Sequence, residues 1–157
     1  MTATIFIING PNFNLLGTRE PRLYGNQTLA EINATLEQRA KAHKLTLDMR
    51  QSNHEGVIVD WLNEAMAKAS AVIINGGAYS HSSIAIRDAI SALSIPVIEV
   101  HMTNIYAREG FRRQSLIGQV SRGSIIGFGA LSYALALDAA AHLCKGAGAA
   151  AAKVQIQ

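Results

Sequence analysis

Thr4-Ile5-Phe6-Ile7-Ile8 is an unbroken run of apolar and β-branched residues, and it reads as a strand buried on both faces. Residues 28–43 follow with Leu29, Ile32 and Leu36 spaced by three and four behind the capping box Thr28-Leu29-Ala30-Glu31, which predicts a helix. Leu45 to Met49 alternates as a second strand. Residues 55–69 set Ile58, Leu62, Ala65 and Met66 on one helical face. Ala71-Val72-Ile73-Ile74 is a third strand, and residues 82–93 form a third helix that ends before Pro96. Val97-Ile98-Glu99-Val100 and Ser124-Ile125-Ile126-Gly127 complete five strands, and residues 130–144 form a last helix, apolar almost all round. Parallel strands need long crossovers, and those crossovers are right-handed. The alternation therefore predicts an α/β, flavodoxin-like, doubly wound five-stranded parallel sheet of order 2-1-3-4-5, with helices on both faces.

The 157 residues make one domain, expected over residues 1–145, followed by a Gly/Ala-rich tail over 146–157 with no chemical role. Hydrophobic residues are 49% and charged residues 16%, which excludes disorder for most of the chain. So few charges fit extra surface buried between subunits. The single cysteine, Cys144, excludes a disulfide framework and a cysteine-built zinc site. No apolar run reaches the roughly 18 residues of a membrane span, and the strand-like start does not resemble a signal peptide. A cytoplasmic protein with no membrane partner is expected.

The formal charge is +3 and the isoelectric point about 9.2, which raises nucleic-acid binding as a reading. The lysines are scattered, however, whereas Arg108, Arg112 and Arg113 cluster, as do Arg19 and Arg22. Forked guanidinium donors in small groups suit a compact carboxylate or phosphate, so no nucleic-acid partner is expected.

In a sheet of this order, ligands bind beyond the carboxyl ends of strands near the switch point. Three unusual segments fall there. Residues 9–25 form a long loop that carries Asn12, Arg19 and Tyr24, with Gly17 and Gly25 as hinges of a lid over residues 17–25. A cation beside Tyr24 would favour its phenolate, a base; alternatively the ring packs on the surface. Asn75-Gly76-Gly77-Ala78-Tyr79-Ser80-His81-Ser82-Ser83 leaves a buried strand for a helix, where Ser82 or Ser83 caps it and the N-terminus favours an anion. It is neither a dinucleotide fingerprint nor a Walker loop. Glu99 and His101 project to one face of their strand, where a carboxylate fixes the imidazole as a general acid or merely pairs with it. Beyond them Arg108 and Arg112 could hold an anion. Scarce carboxylates argue against a metal, and no G-x-S-x-G elbow marks a hydrolase. An anion-processing enzyme and a binding module without chemistry both fit these residues.

Asn9-Gly10-Pro11-Asn12-Phe13-Asn14-Leu15-Leu16-Gly17-Thr18-Arg19-Glu20-Pro21, then Tyr24-Gly25, resembles the signature loop of type II 3-dehydroquinate dehydratases. Gln51-Ser52-Asn53-His54-Glu55-Gly56, Asn75 to Ser83, Glu99-Val100-His101 and Asn104 to Arg112 resemble the family's other motifs, over roughly residues 4–144. The resemblance implies reversible dehydration of 3-dehydroquinate to 3-dehydroshikimate by anti elimination through an enolate, without a cofactor. It implies a dodecamer built as a tetramer of trimers. It implies Tyr24 as base, Arg19 and Arg108 as its cationic neighbours, and His101 as the acid that protonates the leaving hydroxyl, oriented by Glu99. Asn12 would hold a water at the enolate. Asn75, His81 and Arg112 would bind substrate hydroxyls, the N–H groups of Met102 and Thr103 the carboxylate, and Asp88 would come from a neighbouring subunit. No lysine lies in the three segments, which argues against a Schiff base. Two positions depart from the family pattern. Thr103 replaces a usual serine, and Gly110 is expected to loosen a helix carrying Arg112.

Overall fold

The computed structural model describes residues 2–146. Five strands, β1 (Thr4–Asn9), β2 (Thr46–Gln51), β3 (Ala71–Asn75), β4 (Val97–His101) and β5 (Gly123–Ile126), form one sheet of order β2-β1-β3-β4-β5. Every pairing is parallel. The flavodoxin-like order read from the sequence is the order observed.

Among the described residues six α-helices accompany the strands: α1 (Pro21–Tyr24), α2 (Leu29–His43), α3 (Glu55–Lys68), α4 (Tyr79–Ser82), α5 (Ile84–Ser91) and α6 (Leu131–Gly146). Strand alternation sorts the core into two layers. Ile5 and Ile7 of β1 pack with Ile32 and Leu36 of α2 and with Tyr133 and Leu137 of α6. Phe6 and Ile8 face the other way, onto Ile58 and Leu62 of α3 and Ile86 and Ile90 of α5. All eight of those helical residues and all four strand residues are buried. Burying a side chain of that size contributes roughly 1.5–3 kcal/mol, so each layer holds its helices firmly.

Three local expectations are corrected. The helix expected over 82–93 is two helices, because Ser83 takes an extended conformation and its Oγ accepts the Ile86 N–H at 3.0 Å. A serine that bonds the backbone locally starts a new helix rather than continuing the old one. His81 consequently sits on α4, not in a loop. Gly110 opens a three-residue 3-10 turn, Gly110–Arg112, so there is no helix interior for it to loosen. A Cβ added at Gly110 would meet nothing within 4 Å. The last helix is two-sided: Ala136, Leu137 and Ala140 are buried, while Asp138 turns to Arg39 and His43 of α2. It also runs to Gly146, one residue into the expected tail; the rest of that tail lies outside the described residues.

Candidate active site

The carboxyl ends of β1, β3 and β4 open on a cleft. It is lined by Asn12, Arg19, Tyr24, Asn75, His81, His101, Met102, Thr103, Arg108 and Arg112, with Pro11, Phe13, Gly77, Ala78 and Ile105. Every site residue expected from the sequence lies there except Glu99, which stands behind His101, and Asp88, which is exposed on α5 away from the cleft of its own chain.

The long first loop is folded, not slack. Phe13–Leu15 is a 3-10 turn, and Phe13 and Leu16 are buried in the core layer of α2 and α6. Pro21 starts α1, whose last residue is Tyr24. Arg108 Nη1 donates to the Tyr24 hydroxyl oxygen at 3.0 Å, and the Arg19 guanidinium lies 5.2 Å from the ring centroid. Tyr24 is therefore not a free surface ring; Arg108 holds its oxygen and Arg19 lies over its ring at the cleft.

In the same cleft, His101 Nε2 lies 3.1 Å from Glu99 Oε2. Both residues are buried at the end of β4. Glu99 is otherwise enclosed by hydroxyls: Ser115 donates to Oε2 and Ser124 to Oε1. Burial alone pushes the Glu99 carboxyl up, but His101 and the two serine donors outweigh it and hold the group below its ordinary value. Glu99 is thus a carboxylate at neutral pH, and it stabilises positive charge on His101. The His81 ring stacks on His101, with centroids 5.8 Å apart. The Gln114 carbonyl accepts from His81 Nδ1 at 2.8 Å, which leaves Nε2 as an acceptor. Burial pushes the His81 imidazole below its ordinary value, which favours its neutral form.

Among the described residues three arginines and no acidic side chain line the cleft, a charge balance that suits an anion. Met102 both packs into the core and borders the cleft. Thr103 Oγ1 accepts from Arg108 at 3.4 Å, so the departure from serine keeps a hydroxyl contact.

The sequence reading missed the supports of this site. Asn53 Oδ1 accepts the Asn12 N–H at 3.0 Å and a Gln51 Nε2 hydrogen at 3.1 Å, which fixes Asn12 in a left-handed conformation of φ 70°. Tyr79 donates to the Asn53 carbonyl at 2.8 Å, so the Gln51-to-Gly56 motif clasps the loops on either side. Ser115 and Ser124 gave no signal, being isolated serines. Gly118 gave none either, yet a Cβ there would stand 2.7 Å from Glu99 Oε1. Tyr133 read as one more apolar core residue.

The fold and the cleft define an α/β protein with a basic pocket at the switch point of a parallel sheet. The comparisons sharpen that class. The family model for dehydroquinase class II matches residues 3–141. The 3-dehydroquinate dehydratase of Rhizobium meliloti (strain 1021) is 54% identical over 143 residues, covering 91% of this chain and 97% of that protein. That of Halalkalibacterium halodurans is 52% identical over 134 residues, covering 85% and 92%. The crystal structure of the type II dehydroquinase from Propionibacterium acnes superposes with a TM-score of 0.87 at 39% identity, covering 90% of this chain and 98% of that one. The chain belongs to the class II dehydroquinase family and is a hydro-lyase. Family membership decides between the enzyme and the binding module.

Proposed function

We propose that this enzyme converts 3-dehydroquinate to 3-dehydroshikimate by anti elimination through an enolate. The observation that carries the reading is a pair of groups. A tyrosine whose oxygen accepts from Arg108 and whose ring lies under Arg19 lines the cleft together with a carboxylate-backed imidazole. The Tyr24 phenolate removes the proton alpha to the ketone, and the C–H electrons pass into the enolate. As the enolate collapses, the C1–O bond breaks, and His101 gives its proton so that the oxygen leaves as water. The proton taken by Tyr24 passes to solvent and His101 takes one back from solvent, which restores both groups. Arg19 and Arg108 favour the anionic phenolate, and Asn12 holds the water that stabilises the enolate. Asn75, His81 and Arg112 bind substrate hydroxyls, and the N–H groups of Met102 and Thr103 bind the carboxylate.

The reaction serves the shikimate route to chorismate and the aromatic amino acids, or quinate breakdown, which uses the same step. Residues 1–145 form the single catalytic domain. The enzyme assembles in the cytoplasm as a dodecamer, a tetramer of trimers, in which Asp88 of one subunit approaches a neighbour's cleft. Among the described residues no helix is long and apolar enough to cross a membrane. Incubation with 3-dehydroquinate tests the reaction: the ultraviolet absorbance of the conjugated enone should rise, and its absence would overturn the reading.

A further inference from the structure

Tyr133 is held by α6 under the floor of the cleft, 1% exposed. Its hydroxyl donates to Asn9 Oδ1 and accepts from Asn75 Nδ2 at 2.9 Å. Asn9 and Asn75 are register partners at the ends of β1 and β3 and are themselves 1% and 2% exposed. A phenol has one proton. Once it is given to Asn9, the oxygen can only accept from Asn75, so the Asn75 amide must turn its nitrogen toward Tyr133. The second constraint is independent of the first. The Gly77 N–H donates to Asn75 Oδ1 at 3.2 Å, and a backbone N–H can only donate. Both ends of the amide are therefore assigned. Burial pushes the Tyr133 phenol far above its ordinary value, so its proton is present at any working pH.

Asn75 lines the cleft, and after these bonds its free hydrogen-bonding capacity on nitrogen is one N–H. We infer that Tyr133 is a positioning residue that makes Asn75 a donor toward the cleft, so that the site selects an oxygen acceptor on the substrate at that point. The inference rests on the dehydration proposed above. Without the tyrosine hydroxyl the amide nitrogen loses its anchor and only the Gly77 N–H still holds the group, so the N–H that faces the cleft is no longer fixed on the substrate oxygen.

The test is steady-state kinetics on 3-dehydroquinate with Tyr133→Phe, Asn75→Ala and the double variant. Tyr133→Phe keeps the ring and should raise KM about tenfold, the scale of one well-placed hydrogen bond, with kcat within about twofold. In the Asn75→Ala background the same change should alter KM by less than about twofold, because Tyr133 acts through Asn75. Should Tyr133→Phe fail to fold, Asn9→Ala, which removes the acceptor of the tyrosine proton, carries the same expectation. An unchanged KM in Tyr133→Phe, or an equal rise in both backgrounds, overturns the assignment while the reaction stands. Wild-type enzyme inert toward 3-dehydroquinate overturns both.

Discussion

His101 Nε2 and Glu99 Oε2 stand 3.1 Å apart on the same face of β4, at the point where the strand leaves the core. An ionised carboxylate there stabilises the protonated imidazole that a general acid must be. Glu99→Gln removes the charge but keeps the size. We expect kcat to fall about tenfold to a hundredfold with KM little changed. Because Glu99 is held below the ordinary carboxylate value of 4.5, its own titration should not remove activity above that pH. A variant with full kcat would show that the pair is only structural.

Tyr24→Phe tests the other member of the pair. The Arg108 contact at 3.0 Å ends on the phenol oxygen, so the variant loses the base and leaves the guanidinium in place. Turnover should fall by about 10²–10⁴, the range of a lost general base, while substrate binding by calorimetry persists. An active Tyr24→Phe enzyme would refute the assignment of the base.

Much of this was legible before any coordinates. The strands are buried on both faces and so announce themselves as continuous apolar runs, and the strand order follows from right-handed crossovers. The cleft followed from the order, because ligands gather at the switch point. What stayed hidden is physically distinct. Ser83 splits a helix through one hydrogen bond, which apolar spacing cannot register. Tyr133 satisfies the helical pattern as core, so its hydroxyl partners, 58 and 124 residues away in sequence, are invisible until the strands are placed. Ser124 is likewise brought to Glu99 as its register partner on β5, and Ser115 by the segment that precedes that strand.

Gly118 lies in that same segment before β5. A Cβ at this position would stand 2.7 Å from Glu99 Oε1 and 3.3 Å from its Cδ. Glu99 is 1% exposed and cannot retreat. Gly118→Ala should therefore lower stability by about 1–3 kcal/mol, as overpacking does, and lower kcat by shifting Glu99 from His101. Thermal melting and kinetics measured together check this. A stable, fully active variant would mean that the loop yields freely.

Residues 17–25 carry Arg19 and Tyr24 between Gly17 and Gly25, whose φ angles of 94° and 77° favour glycine. We expect this segment to close over bound substrate. Hydrogen exchange of its amides should slow when 3-dehydroquinate is added, and equal exchange with and without it would rule closure out. Gly25→Ala has room for its methyl group but not the backbone freedom. It should cost about 1–2 kcal/mol in the closed form and raise KM several-fold.

Asp138 joins the two helices that cover one face of the sheet. Its Oδ1 accepts from Arg39 Nε at 2.9 Å and lies 2.7 Å from His43 Nε2, so α6 is tied to α2 by charge as well as by packing. The Arg39 hydrogen bonds, foremost, hold its carboxyl down at about 2, against 3.8 for a free aspartate. A carboxyl depressed in the folded state adds stability that is complete above its unfolded value and is lost as pH falls through its folded value. The window is therefore from about pH 4 down to about pH 2. The pair is largely solvated, so screening keeps its contribution small. Asp138→Asn should lower the melting temperature at pH 7 by a few degrees and flatten the loss of stability between pH 4 and 2. If acid unfolding of the variant follows the wild-type curve unchanged, the tie between α2 and α6 is packing alone.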